Sequence, residues 1–310
     1  MPGRRIQPGR AGKKAPPRDA APTAETGSEL AGAPVPSLEA VWAELGASSP
    51  APLSDVPDSG DVPPLASGGD DEGGGGDATP PAQPPVVNAP APSAWYARSR
   101  DYWERQAPTV DGMLGGLGHL SPADVTDSHH FLDSLGDRID TSGVALDVGA
   151  GIGRVSAEVL APRFAAVDIV EPIAAYAAVA RRTVPDGKLR TAYVCGMENL
   201  RIAPGVRYAV VWVQWCAIYL TDGDLVAFLR RAAAALLPGG VVVVKDNIAG
   251  GGESPFALDT SDNSVMRSDG YMRELYERAE LDIVATATQR SFDVGLFRVE
   301  MYALVPRRAD

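Results

Sequence analysis

The stretch ALDVGAGIGR, residues 145–154, decides the fold of this chain. Its apolar start predicts a buried strand, its three glycines predict a tight turn, and Arg154 begins a predicted helix that runs to about Leu160. Such a turn lets a ligand approach the backbone while the N-terminus of the helix faces it. The glycine spacing is G-x-G-x-G, whereas the dinucleotide fingerprint has two residues before its last glycine. The pattern therefore disfavours NAD but leaves it open.

The segments downstream alternate between β-rich runs and amphipathic helices. Further strands are predicted at 165–171, 191–196, 208–215 and 241–247, with helices between them and another helix near 267–279. The last two β-rich runs, 281–291 and 296–305, are expected to pair as an antiparallel hairpin at one edge. This order predicts an α/β fold: a doubly wound, Rossmann-like, seven-stranded sheet that binds its ligand at the carboxyl ends of the parallel strands.

The first 93 residues differ in composition from the rest of the 310-residue chain. They hold 18 of the 27 prolines, 13 of the 33 glycines and a single aromatic residue, Trp42. Because so few large apolar groups cannot offset the ordering entropy by burial, we predict a disordered low-complexity tail over 1–93. Within it, Ser37 as a cap and apolar residues on one helical face predict a short helix over 37–46. Residues 94–310 are expected to form one folded domain.

The first 18 residues of the tail contain six basic residues and no acidic residue. Such a segment is typical of a nuclear signal, of an organelle transit peptide, or of a solvated disordered chain. We expect a protein of the cytoplasm or the nucleus, and the transit peptide stays open as an alternative.

Charge and cysteine usage exclude several classes of partner. The formal net charge is −12, of which the tail and the domain each carry −6, so a basic partner is favoured over nucleic acid. No apolar run is long enough to span a membrane. Cys195 and Cys216 lie in apolar runs, as core thiols of a reducing compartment do, and the cysteines and three histidines give no metal-binding spacing. We therefore expect no metal, no direct nucleic-acid partner and no membrane partner.

Two carboxylates lie at strand ends near the glycine turn. Asp147 would repel a pyrophosphate but tolerate a cationic cofactor, and Glu171 ends the next strand, where a carboxylate can accept both ribose hydroxyls. Together with the glycine turn and the strand order, these residues resemble the S-adenosylmethionine site of class I methyltransferases. The resemblance implies S-adenosyl-L-methionine as the cofactor and S-adenosyl-L-homocysteine as the product.

Four other segments carry a more specific resemblance. They are YWERQAPTVDGMLGGLGHLSPADVTDS (102–128), VWVQWCAIYLTDGDLVAFLRR (211–231), GGVVVVKDN (239–247) and LDTSDNSVMRSD (258–269). Together they resemble the protein N-terminal methyltransferases, which act on the α-amino groups of termini that begin Xaa-Pro-Lys or Xaa-Pro-Arg. The resemblance runs from about Trp95 to Val305 and does not cover the tail. It implies an N-methyltransferase that takes basic protein or peptide N-termini after removal of the initiator Met, and we expect it to be a monomer.

The resemblance assigns roles to individual residues of this sequence. It places at the cofactor Gly149, Gly151, Arg154, Glu171, Met197, Gln214, Trp103 and Met113. It places at the peptide substrate Trp215, Asp259, Ser264, Leu114, Gly115 and Gly116. Residues 94–140, with four glycines in seven positions, are implied to form a helical and glycine-rich lid that closes over the site and excludes water.

Proton removal is the step for which this sequence departs from the family. An α-amine has a pKa of about 7.7–8.0, so at neutral pH it must lose a proton before it can attack a methyl group. We predict that Asp262 accepts this proton and that Asn247 orients the amine. Many family members have a histidine where this chain has Tyr219, and a tyrosine is a poor base near neutral pH. Tyr219 is therefore predicted only to position the amine.

Two alternatives to an N-terminal protein methyltransferase stay open at this point. The chain could methylate another amine, such as an internal lysine or a small molecule. It could also be a catalytically weak binder that keeps the fold, because Tyr219 replaces the family histidine.

Overall fold

The computed structural model of the protein describes residues 27–29, 34–35, 37–44, 93–250, 255–290, 292 and 295–308. The basic segment 1–18 lies outside these residues, and its predicted targeting role stays a prediction. No helix within the described ranges is long and apolar enough to cross a membrane.

The secondary structure follows the predicted alternation from residue 144 onwards. The strands are, in chain order, β1 (Gly27–Glu29), β2 (Pro34–Val35), β3 (Val144–Val148), β4 (Ala166–Val170), β5 (Leu189–Tyr193), β6 (Tyr208–Gln214), β7 (Leu236–Ile248), β8 (Phe256–Asp259), β9 (Ser264–Arg267), β10 (Leu281–Thr288) and β11 (Arg298–Pro306). The helices are α1 (Leu38–Glu44), α2 (Ala94–Glu104), α3 (Val110–Met113), α4 (Ser121–Ser134), α5 (Ala174–Thr183), α6 (Asp222–Ala234) and α7 (Asp269–Arg278). A π-helical segment, Ser156–Leu160, follows the glycine turn in place of the predicted regular helix.

A seven-stranded sheet forms the centre of the domain, in the order β10-β11-β7-β6-β3-β4-β5. The five strands from β7 to β5 are parallel, whereas β11 is antiparallel to both β7 and β10. The predicted doubly wound sheet with an antiparallel edge hairpin is therefore confirmed. The register places the carboxyl ends of β3, β4, β6 and β7 side by side, and this edge of the sheet carries the site described below.

Helices cover both faces of this sheet. On one face, α6 and α7 contribute Phe228 and Leu275, and on the other face α4 and the π-helical segment contribute Phe131 and Leu160. The four consecutive valines at 241–244 are fully buried between these layers, as expected for a strand covered on both sides. The buried layers fix the strand ends rigidly, so the side chains that follow them are held in place.

Two local predictions differ from the structure. Strand β7 begins at Leu236, before the predicted start at 241, because Leu236 pairs with Tyr208. The pairing then shifts register, so that Val210 pairs with Val241 and residues 237–240 form an irregular part of the strand. Gly239 adopts a positive φ of 81° in this shift, which glycine tolerates without strain. In addition, residues 256–267, where no strand was predicted, contain the hairpin of β8 and β9, in which Asp259 pairs with Ser264. Four-residue strands are too short to show a clear alternation in sequence.

Part of the N-terminal tail packs on the domain. β1 pairs in parallel with β8, β2 pairs antiparallel with β1, and the resulting four-stranded sheet has the order β2-β1-β8-β9. The predicted short helix is present as α1, and the Ser37 hydroxyl accepts the amide N–H of Ala40 as an N-terminal cap. Strands β1 and β2 were not expected in a tail predicted to be disordered outside this helix. For the rest of 1–93 the expectation of disorder stays a prediction.

Candidate active site

A cavity of about 1220 Å³ opens at the carboxyl ends of the parallel strands. Its walls come from the glycine turn after β3, the residues after β4 and β6, the segment 96–120, and the hairpin of β8 and β9. The volume exceeds the upper range typical of a single small-molecule pocket, about 1000 Å³. The cavity can therefore hold a cofactor and a segment of peptide together.

The glycine turn brings the backbone close to the cavity. Gly149, Gly151 and Gly153 all have positive φ, between 54° and 82°. A Cβ atom on Gly149 would lie 2.6 Å from the Cβ of Cys216, and one on Gly153 would lie 3.0 Å from Ala180. A side chain at position 149 would collide with Cys216 after β6, and one at position 153 would press against Ala180 of α5, so both positions require glycine. Of these three glycines, only Gly151 faces the predicted lid: a Cβ atom on it would lie 3.0 Å from Met113 Sδ.

Glu171 is held by the backbone of two turns. Its Oε2 accepts the N–H of Gly151 at 2.8 Å, and its Oε1 accepts the N–H of Ile173 at 2.8 Å. Burial raises the pKa of this carboxyl to about 7, although both backbone donors favour the ionised form. Glu171 lines the cavity, so its remaining lone pairs can accept hydroxyl donors from a ligand.

A buried network of charges lies behind the cavity. Asp124 of α4 is fully buried and contacts Lys245 Nζ at 2.5 Å and Arg154 at 2.8 Å. Gln214 also donates its amide N–H to both carboxylate oxygens of Asp124, at 2.9 Å. Burial alone would raise the pKa of Asp124, but the ammonium of Lys245 and the guanidinium of Arg154 outweigh it and hold the pKa below its usual value.

This network contains two predicted cofactor residues and two that the sequence analysis missed. Arg154 and Gln214 do line the cavity, but their polar groups are also engaged with Asp124. Asp124 and Lys245 lie in the quoted segments 102–128 and 239–247, yet no spacing links residues that are 121 positions apart. Their pairing becomes visible only when α4 packs against β7.

Trp215 has an unusual backbone conformation. Its φ is 53°, which is rare for a bulky residue and indicates a conformation imposed by the surroundings. Phe292 stacks on its ring with a centroid distance of 6.3 Å and an interplanar angle of 27°, and the Arg154 guanidinium lies 5.9 Å from the ring centroid. The indole nitrogen is buried without a hydrogen-bond partner among the described residues. These aromatic rings form one wall of the cavity.

Tyr219 and Asp262 are brought together from two distant segments. The Tyr219 hydroxyl donates to Asp262 Oδ2 at 3.2 Å, and Asp262 Oδ1 accepts the N–H of Ser264 at 3.1 Å. Burial, followed by the charge of Asp262, raises the pKa of the Tyr219 phenol well above its usual value. The phenol therefore keeps its proton at neutral pH, and the carboxylate is the acceptor of the pair.

The other predicted substrate residues are only partly assembled around the cavity. Asn247, at the end of β7, and Asp259, at the end of β8, both line it. The Asp259 carboxylate also accepts the backbone N–H and the hydroxyl of Ser261, at 2.9 and 2.6 Å. Ser264 is buried in the hairpin and is not among the residues that line the cavity, so its contact with a substrate stays a prediction.

The predicted lid covers one side of the cavity. Trp103 packs edge-on against Tyr219 with a centroid distance of 6.2 Å, and Trp103 and Met113 contact the apolar cluster of Ile152 and Ile173. Leu114, Gly115 and Gly116 line the cavity, and both glycines have positive φ. Met197 lines the same cavity from the 3-10 turn after β5.

The donor set fits an adenosine cofactor with a carboxylate and a positive centre. Backbone amides at the glycine turn, the Glu171 carboxylate and the Arg154 guanidinium face one cavity, as such a molecule requires. The orphaned indole nitrogen of Trp215 marks a position where a bound group can accept a hydrogen bond. Within the described residues, no group of three or more His, Cys, Asp or Glu side chains could hold a metal ion.

Sequence comparison gives a consistent family. A family model described as "AdoMet dependent proline di-methyltransferase" matches residues 91–305. An "Alpha N-terminal protein methyltransferase 1" of Arabidopsis thaliana is 39% identical over 222 residues, which is 68% of this chain and 79% of the relative. An "N-terminal Xaa-Pro-Lys N-methyltransferase 1" of Mus musculus is 37% identical over 215 residues, covering 68% of this chain and 95% of the relative.

Structural comparison agrees with the sequence comparison. A SAM-dependent methyltransferase of Leishmania major superposes with a TM-score of 0.70 at 28% identity, covering 94% of this chain and all of that chain. A phosphoethanolamine N-methyltransferase of Haemonchus contortus superposes with a TM-score of 0.52 at 19% identity, covering 70% of this chain and 49% of that chain, which indicates a shared fold only.

Proposed function

This chain belongs to the AdoMet-dependent proline di-methyltransferase family, and we propose that it methylates the α-amino group of protein N-termini beginning Xaa-Pro-Lys or Xaa-Pro-Arg. It is an S-adenosylmethionine-dependent methyltransferase with protein substrates. The observation that carries the finer proposal is one cavity that joins the glycine turn, the stacked rings of Trp215 and Phe292, and the acidic residues Asp259 and Asp262.

The cofactor would be held at the glycine-turn end of this cavity. Glu171 would accept the ribose hydroxyls, Arg154 would pair with the carboxylate, and the amides around Gly151 would face the ligand. Met197, Gln214, Trp103 and Met113 line the same region and would enclose it. The bound cofactor supplies an electrophilic methyl group on a sulfonium sulfur.

The peptide would enter between the lid and the hairpin. The flat ring of Trp215 offers a surface for the rigid proline ring, and Leu114, Gly115 and Gly116 line the same cavity. Asp259, beside the turn of the hairpin, carries a negative charge suited to a basic third residue. An acidic domain also attracts basic termini at long range.

Asp262 and Asn247 would prepare the amine for attack. Asp262 lines the cavity and can take the proton of the ammonium group, directly or through water, while Tyr219 keeps its own proton. Asn247 lies on the facing strand end, where its amide can hold the amine in line with the methyl group.

Cofactor affinity is expected to depend on the ionisation of Glu171. Ribose hydroxyls donate to a carboxylate, so binding favours the ionised form and lowers its pKa from the free value of about 7. The affinity for S-adenosylmethionine should therefore fall as the pH decreases from about 8 to about 6. Glu171→Gln should remove this dependence and weaken binding at the higher pH by about tenfold, measured by titration calorimetry. The exposed Glu158→Gln is the control, and a wild-type pH slope in Glu171→Gln would contradict the assignment.

Mass spectrometry of three peptides tests the proposed substrate. A peptide beginning Ser-Pro-Lys should gain mass in steps of one methyl group, whereas its amino-acetylated twin should gain none. A Ser-Pro-Glu peptide should react poorly because it lacks the basic third residue. Methylation of the acetylated twin would indicate lysine as the acceptor. Cofactor binding without any methylation would favour the weak-binder alternative and make Tyr219→His the next variant.

Location and oligomeric state complete the proposal. We place the protein in the cytoplasm or the nucleus, because its first 18 residues are basic and both of its cysteines are free thiols. We also propose a monomer, since a single chain supplies every residue assigned to the cavity. Light scattering of the purified protein and imaging of a tagged full-length chain check these two points.

A further inference from the structure

We propose that helix α1 of the N-terminal tail is a positioning element of the active site, and that it holds the Tyr219–Asp262 pair through Trp95. The inference rests on the proposed function, because it concerns the pair to which we assign proton removal. The family model begins at residue 91, so α1 lies outside the matched region.

The first step is the contact between α1 and the domain. Leu38 and Trp42 are almost fully buried, with 1% and 6% of their surface exposed. They form one apolar cluster with Trp95 and with the inward side chains of β8 and β9. Trp42 meets Trp95 edge-on at a centroid distance of 6.4 Å. The helix therefore covers apolar surface that belongs to the hairpin and to α2.

The second step is the position of Trp95 between the two members of the pair. Trp95 is fully buried, and its indole N–H donates to the backbone carbonyl of Tyr219 at 2.7 Å. Its own carbonyl accepts the side-chain N–H of Asn263 at 3.1 Å, and Asn263 directly follows Asp262. One residue thus links the 3-10 turn that carries Tyr219 to the hairpin turn that carries Asp262.

A third contact fixes the other side of Trp42. The Arg267 guanidinium lies 6.0 Å from the Trp42 ring centroid. Arg267 also binds Asp222 and the carbonyl of Leu220, each at 2.7 Å, next to the Tyr219 turn. The parallel pairing of β1 with β8, at Glu29 and Leu258, adds a backbone connection to the strand that ends at Asp259. The tail thus contacts the hairpin directly and is linked to the Tyr219 turn through Trp95 and Arg267.

The indole nitrogen of Trp42 has no hydrogen-bond partner among the described residues, so the residue acts through its rings. A phenylalanine should therefore replace it, whereas an alanine should leave Trp95 and the hairpin without support. Because misplacement of reacting groups lowers the rate of the chemical step, Trp42→Ala should lower kcat by about tenfold. The Kd for S-adenosylmethionine should stay unchanged, since the apolar cluster described around Leu38 and Trp42 includes none of the residues assigned to the cofactor. Trp42→Phe should keep kcat within about twofold of the wild type.

Steady-state kinetics of full-length variants on a Ser-Pro-Lys peptide test the inference. Ala43→Ser, on the exposed face of α1, is the matched control. Leu281→Ala, in the buried core at the far edge of the sheet, controls for a general loss of stability, and all variants are assayed below their unfolding temperatures. A selective loss of kcat in Trp42→Ala, restored in Trp42→Phe and absent in Leu281→Ala, supports the inference.

The outcomes separate this inference from the proposed function. Wild-type methylation together with unchanged kcat in Trp42→Ala overturns the positioning role and leaves the function standing. An equal loss of kcat in Leu281→Ala also overturns it, because stability alone would then explain the effect. Absence of methylation by the wild type overturns the proposed function, and the inference with it.

Discussion

Replacing Asp262 by asparagine lowers kcat on a Ser-Pro-Lys peptide by about 100-fold, because a positioned general base contributes at least that factor. An amide of the same size keeps the contacts with Tyr219 and the N–H of Ser264 but cannot accept a proton from the ammonium group. Tyr219→Phe removes one hydrogen bond and lowers kcat by no more than about tenfold. Steady-state assays of both variants against the wild type measure these effects.

The pH profile identifies the step that Asp262 serves. The α-amine loses its proton spontaneously near its pKa of about 8, so the deficit of Asp262→Asn should be largest at low pH and should shrink at high pH. Asp259→Asn is the matched control in the same hairpin, and it should raise the KM for the basic peptide with little change in kcat. Near-normal turnover in Asp262→Asn, together with loss of activity in Tyr219→Phe, would show that the two roles are assigned the wrong way round.

Replacing Asp124 by asparagine lowers the free energy of unfolding by about 3–5 kcal/mol, the usual cost of breaking a buried ion pair. The carboxylate is fully buried and is shared by Lys245, Arg154 and Gln214, so its loss leaves two buried cations without compensation. Cofactor affinity should fall as well, because Arg154 loses the partner that fixes its guanidinium beside the cavity. Denaturant unfolding and titration calorimetry measure the two effects.

The free energy of unfolding, measured as the pH is lowered into the acid range, provides a second test of the Asp124 network. The pKa of Asp124 is lower in the folded protein than in the unfolded chain, where it is about 3.9. Its stabilisation is therefore fully present above that value and is lost as the pH falls through the lower folded pKa. Asp124→Asn should flatten this pH dependence, whereas Asp137→Asn, at an exposed position just beyond the same helix, should leave it unchanged. An unfolding free energy within about 1 kcal/mol of the wild type would contradict the role of the network.

The sequence by itself determined the sheet and the cofactor end of the site. The glycine turn, the strand ending before Glu171 and the antiparallel hairpin of β10 and β11 are local features, because periodicity and turn chemistry act over a few residues. Side chains that directly follow parallel strands must meet at one edge, so Gly149 and Glu171 could be placed there from the strand pattern. The family resemblance added Gln214, which lines the same cavity.

Only the tertiary structure decided how distant segments meet. The pair of Asp124 and Lys245, the link from Trp42 through Trp95 to Tyr219, and the short hairpin that buries Ser264 each depend on contacts across long stretches of chain. The positive φ of Trp215 likewise depends on the packing around it. The composition of the tail as a whole predicted disorder, although the pattern at 37–46 predicted a helix. A helix of seven residues such as α1 is too short to be stable alone. Helix α1 packs on the domain because the domain offers an apolar surface for Leu38 and Trp42, and no local pattern encodes that surface.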